Sequence, residues 1–429
     1  AAMGRPRAPL LAAAAVAAAG SGDLPSLLWM APVLNPGGYS SEASAFALGL
    51  HGAYKAARAR FGMRQFAEQQ NENFAGGLPK DTLAVLGKAF KAGARRSAWD
   101  VVVCHSTPDV WLEDGAFHWG RIEPCPPEGA RYTVGRTMYE TDRVPEAWVP
   151  RINAMDEVWV PSSFALEQFT SSGIKREKIV IMPEAVDTGL FDPALHQPLE
   201  LDQEGPPSAA GGPFRFLAVF KWEKRKGWDL LLRAYFEEFS AADPVVLHMK
   251  TQAFHSDGDF EGKVRGLAAG LGAARGPLAR YAVHSRDIAL RDLPRLYRAA
   301  DAFVLPSRGE GWGRPHVEAM AMGLPVIATN WSGSTEFLSE SCALPLRIDG
   351  LAEVEKGNGP PGHRWAEPSV AHLRSLMRWA VEHRAEARAL GARAREEMLA
   401  LYSPEALARV HLLPRLRGIA RGLAARREL

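Results

Sequence analysis

Cysteine is scarce: three residues in 429, Cys104, Cys125 and Cys342, with no CxxC spacing. That excludes a zinc ribbon and a disulfide-stapled scaffold, and a single bridge between Cys104 and Cys125 would require an oxidising compartment. An excess of one charge is lacking too. Lys and Arg number 51 against 49 Asp and Glu, a formal net charge of +2. This argues against a nucleic-acid coat binder, and an acidic substrate would have to be met by a local basic patch. No apolar run reaches membrane-spanning length without charges. The nearest is the opening "AAMGRPRAPLLAAAAVAAAG", where Arg5 and Arg7 precede about a dozen apolar residues. It has the basic and apolar regions of a signal or transit peptide, or else is alanine low complexity. Residues 1–23 are therefore set apart as a disordered or targeting segment. The compartment follows from that choice: secretory pathway or organelle in the first case, cytoplasm in the second.

From Leu27 onward, short apolar runs alternate with helical patterns. "LLWMAPVL", "WDVVVCHS", "DEVWVPSS" and "EKIVIMPEAVD" predict strands, each ending at a turn or polar cluster. Residues 196–214, "HQPLELDQEGPPSAAGGPF", break the rhythm with Pro, Gly and acid and read as a boundary linker. Beyond it "FRFLAVF", "PVVLHMK", "DAFVLPS" and "LPVIATN" predict strands; "GWDLLLRAYFEEF", "RDLPRLYRAA" and "PHVEAMAM" predict helices. Strands alternating with helices imply parallel sheets covered on both faces. The expected architecture is α/β: two doubly wound domains, 24–205 and 206–402, with a cleft between them and ligands beyond the carboxyl ends of the strands. A helical segment, 403–429, is expected to pack back toward the first domain. Ser403 reads as its N-cap, Pro404 as its first helical residue, and Pro414 predicts a kink or an end. Six arginines and two glutamates give this segment a local balance of +4. It reads as a solvated helix face, with a membrane or partner patch as the alternative. The closing "RREL" faintly resembles an ER-retrieval tail.

One stretch points to chemistry. "SRGEGWGRPHVEAMAMGLP", residues 307–325, sets Glu310 and Glu318 around a glycine-broken loop and a helix that Pro315 starts and Gly323 stops. Glu310 falls on the loop at a strand's carboxyl end, Glu318 about one turn inside the helix. Gly311 and Gly313 let backbone N–H groups approach a ligand at the positive end of the helix, a place for phosphate. Carboxylates would repel phosphate, so the acids suit hydroxyl-rich parts of the same ligand. A molecule with phosphates in the middle and hydroxylated rings at both ends fits: a nucleotide sugar.

The run "GEGWGRPHVEAMAMGLPVIATNWSGSTEF" resembles the donor-site signature of retaining GT-B glycosyltransferases, the group 1 enzymes of family 4. The likeness covers most of residues 213–400 and, more thinly, the first domain. It implies two Rossmann-like domains facing across a cleft, with Glu310 on hydroxyls of the donor sugar and Glu318 on the ribose. Trp312 stands where Phe is more usual, as an aromatic pocket wall. In "FKWEKRKGWDLLL", residues 220–232, the likeness assigns Lys226, just before Gly227, to the diphosphate. The companion arginine is not matched: Lys221 falls near its position and Arg225 could replace it, though an ammonium cannot bind in the bidentate manner of a guanidinium. In the first domain, Gly37 and Gly38 correspond to a glycine-rich loop near the donor phosphates, and His105 to a histidine lining the sugar site. Arg136, Glu140, Asp142 and Arg143 either bind an acceptor or form ion pairs. The irregular stretch 106–130, with Trp111 and Trp119, has the length of a functional loop.

The function implied is hexosyl transfer from a nucleotide-diphosphate sugar with retained configuration, without metal or other cofactor. Glu310, His105, Lys226 and Lys221 are the expected catalytic residues; Lys221, Arg225, Lys226 and the glycine-loop N–H groups would stabilise the departing diphosphate. The acceptor, whether glycan, lipid or small molecule, is not identified; nucleic acid is not expected, and membrane association is left open. Two rivals stand beside this reading, and a third, a sugar-nucleotide epimerase on the same architecture, is disfavoured because the matched signature belongs to transferases. One is a non-catalytic sugar-nucleotide-binding module, favoured by the substituted arginine position. The other is a glycoside hydrolase using Glu310 and Glu318 as its acid pair.

Overall fold

The computed structural model describes residues 24–95, 97–111, 116–117, 120–121, 123–201, 212–253, 258–271 and 277–428. The alanine-rich opening, Trp119, most of the 196–214 segment and the final residue of "RREL" lie outside the described residues.

Strand β1 (Leu27–Ala31) is buried along its whole length, which is why its sequence shows no alternation. With β2 (Phe61–Gln65), β3 (Val101–His105), β4 (Thr133–Arg136), β5 (Glu157–Val160) and β6 (Ile179–Ile181) it forms a six-stranded sheet. The order is β2-β1-β3-β4-β5-β6 and every pairing is parallel. A second six-stranded sheet is built from β7 (Phe214–Trp222), β8 (Val245–Ala253), β9 (Arg280–His284), β10 (Ala302–Leu305), β11 (Val326–Thr329) and β12 (Leu344–Leu346). Its order is β9-β8-β7-β10-β11-β12, again wholly parallel.

Each sheet has a point where the chain, having run outward in one direction, returns and continues in the other. In the first it lies between β1 and β3; in the second, between β7 and β10. Loops leaving two such neighbours diverge and open a crevice beyond their carboxyl ends. The segments singled out above issue there: Gly37–Gly38 after β1, His105 at the end of β3, residues 221–227 ending β7, and 307–313 after β10. Helices follow these strands: α1 (Gly38–Ala56) after β1, α2 (Ser163–Ser171) after β5, α3 (Trp228–Glu238) after β7 and α4 (Arg314–Ala321) after β10. The apolar faces of α1, α3 and α4 complete two cores, one around Trp29, Phe46, Val103 and Trp159, the other around Phe216, Leu231, Phe303 and Val317, and α2 packs on the other face of the first sheet with Leu28, Val102 and Val158.

At its C-terminal end the chain crosses back. Val186 N donates to Tyr402 O at 2.8 Å, where the two connections between domains run side by side. Ser403 caps the next turn, its Oγ accepting from Ala406 N at 3.3 Å, with Pro404 first in the helix as expected. This turn lies against Gly49 of α1, where a Cβ would come within 2.2 Å of Pro404 O. Leu407, Leu412, Leu416, Ile419 and Leu423 then join the core of the first domain. The α-helical repeat is interrupted just before Pro414, in line with the expected kink or end. A π turn over Ala408–Leu412 widens the helix, and α5 (Leu413–Glu428) follows with Pro414 as its second residue, where the missing N–H costs little.

The strand signals missed β2, β9 and β12, and also a hairpin, β13 (Ile348–Glu353) and β14 (Arg364–Pro368), appended to the second domain. The hairpin touches the first domain: Arg364 N donates to Asp142 Oδ1 at 2.7 Å, and Thr141 Oγ1 lies 2.8 Å from His363 Nδ1. Cys104 and Cys125 are joined in a buried disulfide, and Cys342 is free and buried. Among the described residues no helix is long and apolar enough to cross a membrane.

Candidate functional site

The two loops of the second domain are locked together before any side chain is considered. Gly227 has φ 67°, and a Cβ there would lie 2.0 Å from Pro306 O, so only glycine lets the basic loop press against the exit of β10. Arg308 N donates to Arg225 O at 2.6 Å. The Arg308 guanidinium, 4% exposed, donates to both oxygens of Asp229 at 2.8 and 3.0 Å and to Lys224 O at 2.8 Å, and reaches Glu367 of the hairpin at 3.2 Å.

This framework aims the remaining cations at one carboxylate. Lys226 Nζ donates to Glu310 at 2.7 and 2.8 Å, Arg225 Nη1 at 3.2 Å and Ser307 Oγ at 2.7 Å. Burial alone would raise the Glu310 carboxyl, but Lys226, Arg225 and His316 outweigh it and hold it far below the ordinary carboxylate range. Glu310 is thus a fixed anion with no proton to give. Arg225 also meets Glu223 at 2.8 Å and Glu140 of the first domain at 3.6 Å. Burial works against its charge, yet Glu140, Glu223 and Glu310 raise it above the usual arginine value. Lys221, at the end of β7, lies among Glu223, Lys226, Glu68 and Arg225; burial chiefly lowers its ammonium pKa. Lys224 turns aside to pair with Asp229 at 2.8 Å.

Beyond Glu310 the loop runs into α4. Gly313, at φ 119°, is the N-cap and offers no side-chain cap; Gly37 before α1 and Gly227 before α3 are uncapped in the same way. Three helix N-termini following β1, β7 and β10 therefore have no side-chain cap of their own, the arrangement that suits an anion. Gly311 abuts the first domain, where a Cβ would meet Met138 Cγ at 2.4 Å. Glu318 is buried and accepts from Tyr297 OH at 2.8 Å; burial raises its carboxyl, with Arg314 and the Tyr297 hydrogen bond opposing. Trp312 corrects an expectation: its ring is 1% exposed and packs edge-on with Phe337 and Tyr402, inside the core rather than on a pocket wall.

In the first domain Gly37 has open space where a Cβ would stand, and Gly38 faces the Arg314 side chain. His105 is fully buried. Its Nδ1 accepts from Trp29 Nε1 at 3.0 Å, so Nε2 carries the proton and donates to Glu42 Oε2 at 3.0 Å. Both ring nitrogens are taken, and burial lowers the ring's pKa. Glu42 is held ionised against its burial by Arg136 and His105, and Arg136 Nε donates to it at 2.6 Å. Arg136 is therefore separated from Asp142 and Arg143, which pair with each other at 2.7 Å, while Glu140 turns to Arg225. The sequence neighbours form ion pairs, but not one cluster. Glu42, Glu184, Ser307, Arg308 and Arg314 were missed; Ser307 and Arg308 adjoin the glycine-rich motif, whereas nothing in the sequence marks Glu42 or Glu184 as buried. Among the described residues no group of three or more His, Cys, Asp or Glu side chains is placed to hold a metal ion.

Two parallel Rossmann-like sheets facing across a cleft, with charged loops at both switch points, define the GT-B fold. Solved structures agree: HepE from Anabaena with UDP and glucose has a TM-score of 0.58 at 13% identity, covering 94% of this chain and 100% of that one. Sucrose-phosphate synthase from Thermosynechococcus elongatus has a TM-score of 0.59 at 19% identity, covering 91% of this chain and 98% of that one. Residues 214–353, which hold the Lys226–Glu310 cluster, match the family described as glycosyl transferases group 1. A curated relative, mannosylfructose-phosphate synthase of Agrobacterium fabrum, is 28% identical over 173 residues, 38% of this chain. The match spans 34% of that relative's length.

Proposed function

We propose that the protein is a glycosyltransferase that moves a hexose from a nucleotide-diphosphate sugar to an acceptor hydroxyl, with retention of anomeric configuration and without a metal ion. The observation carrying this reading is the cluster of Lys226, Arg225 and Glu310 at the switch point of the second sheet, flanked by uncapped helices. Charge develops on the diphosphate as its bond to the anomeric carbon breaks. Lys226, Arg225 and the N–H groups around Gly227 and Gly313 are preorganised to receive it, and such stabilisation is typically worth several kcal/mol, about 3 for a single donor. The acceptor oxygen forms its bond on the face the diphosphate leaves, and its proton passes to the departing phosphate oxygen. Glu310, kept anionic, would accept hydrogen bonds from donor-sugar hydroxyls, and Glu318 would hold the ribose. His105, held by Glu42, packs edge-on against Tyr39 at 5.2 Å and would steady the first turn of α1. The complex of HepE with UDP and glucose supports a ligand of this class in this fold.

One observation favours the hydrolase reading: Glu310 is pushed down while Glu318 is pushed up, the split expected of an acid pair. The test serves both. Incubation with UDP-, GDP- and ADP-hexoses should release nucleotide diphosphate from one of them, unaffected by EDTA, and NMR should find the donor's anomeric configuration in the product. Release from none of the donors, or cleavage of an aryl glycoside instead, would refute the proposal.

A further inference from the structure

Charge accounting across the cleft singles out Arg314, a residue without a role in the reading above. The other buried cations of the site are matched. Lys226 and Arg225 share Glu310, Arg225 also meets Glu223 and Glu140, Arg308 meets Asp229 and Glu367, and Arg136 meets Glu42. Arg314, the first residue of α4, is not matched in this way. Its side chain, 10% exposed, crosses to the first domain, where Nη1 donates to the carbonyl of Ala185. The nearest carboxylate is Glu184 Oε2 at 3.6 Å, longer than a hydrogen bond, and that oxygen has no hydrogen-bond partner. Glu184 is 1% exposed, and burial together with neighbouring Glu42 holds its carboxyl above the ordinary range, with Arg314 and Arg136 opposing. Arg314 Nε is likewise buried and unpartnered.

Position adds to charge. The Arg314 stem lies 3.8 Å from where a Cβ on Gly38 would stand, against the first turn of α1. Its own backbone opens α4 behind the uncapped Gly313, and its charge is felt at Glu318, one turn along the helix. Arg314 thus stands between the glycine loop of the first domain, the N-terminus of α4 and the acid assigned to the ribose. A buried guanidinium with an unpartnered Nε and no carboxylate within hydrogen-bond distance, beside two uncapped helix N-termini, calls for an anion that spans both domains.

We infer that Arg314 binds the diphosphate of the nucleotide donor from the α4 side, opposite Lys226, supplying the guanidinium that is absent at Lys221. This rests on the glycosyltransferase reading and names a further residue of the same site. Calorimetric titration with UDP, GDP and ADP, and with the matching monophosphates, tests it. For the nucleotide that binds the native protein, Arg314→Ala should weaken the diphosphate about ten- to a hundredfold, the loss of a charge-assisted contact, while the monophosphate changes less than about threefold. Arg314→Lys should recover part of the loss and controls for folding. If diphosphate and monophosphate weaken equally, Arg314 is only a clasp between domains and the inference is overturned; it is overturned equally if neither changes. Should the native protein bind none of the six nucleotides, the glycosyltransferase reading falls first and this inference with it.

Discussion

At the scale of single residues, the site is ordered by which charges are matched. Glu310 sits beneath two cations and is locked as an anion. Glu310→Gln would remove the charge that sets Lys226 and Arg225, and Lys226→Ala would remove the cation proposed to meet the leaving diphosphate. Each should cut transfer at least about a hundredfold, measured as initial rate at saturating donor; near-normal rates in both would remove the mechanism. Glu184 carries the opposite case. Its folded pKa lies above the ordinary 4.5, so the folded state binds its proton more tightly than the unfolded chain does. Below 4.5 the residue is neutral in both states and costs nothing. As pH rises from there through the raised value, the unfolded chain ionises first and stability is lost. Glu184→Gln should therefore melt at or above the native temperature at pH 7, with the difference closing toward pH 4. A lower melting temperature at pH 7 would mean that Glu184 is ionised and paired in the fold. The motif residues were legible because they lie at strand ends, where glycine and proline write the local geometry. Glu42, Glu184 and Arg314 were not, because their partners come from segments far apart in the chain. Trp312 misled for the same reason: an aromatic beside a loop reads identically whether its ring turns outward or, as here, inward against Tyr402.

Elements show what holds those residues in place. The loops after β7 and β10 are two backbones in direct contact, and Gly227 is the position that permits it. Gly227→Ala would force a side chain into positive φ and against Pro306 O. It should cost at least about 2 kcal/mol in urea unfolding, from strain and displacement together, with loss of nucleotide binding from the disturbed Lys226. A change under about 0.5 kcal/mol would show that the contact is not tight. At this scale the sequence resolved the strands flanking the switch points, which are mostly apolar, but not β2 or β9, whose polar residues dilute the signal. The β13–β14 hairpin was also hidden, since "RIDGLAEVEKGNGPPGHRWAEP" carries the Gly and Pro of an ordinary loop. Its ties to Asp142 and Thr141 make it a strap between domains that no periodicity announces.

For the whole molecule, the first domain is not finished until the chain has built the second and returned. Leu407, Leu412, Leu416, Ile419 and Leu423 fill a core otherwise made by residues near the start. Burying five such side chains contributes on the order of 10 kcal/mol at 1.5–3 each, comparable with the entire stability of an ordinary domain. Truncation after Tyr402 should therefore leave the protein insoluble or unfolded by circular dichroism, and a truncated chain with native melting behaviour would contradict this. The central claim is that one nucleotide-diphosphate sugar lies across the switch point of the second sheet, its phosphates among Lys226, Arg225 and the uncapped helices and its hexose against Glu310. A crystal structure with a bound nucleotide-diphosphate hexose is the most direct measurement. The account predicts a phosphate oxygen within hydrogen-bond reach of Lys226 Nζ and sugar hydroxyls donating to Glu310. Density for the ligand elsewhere, or none at saturating concentration, would contradict it.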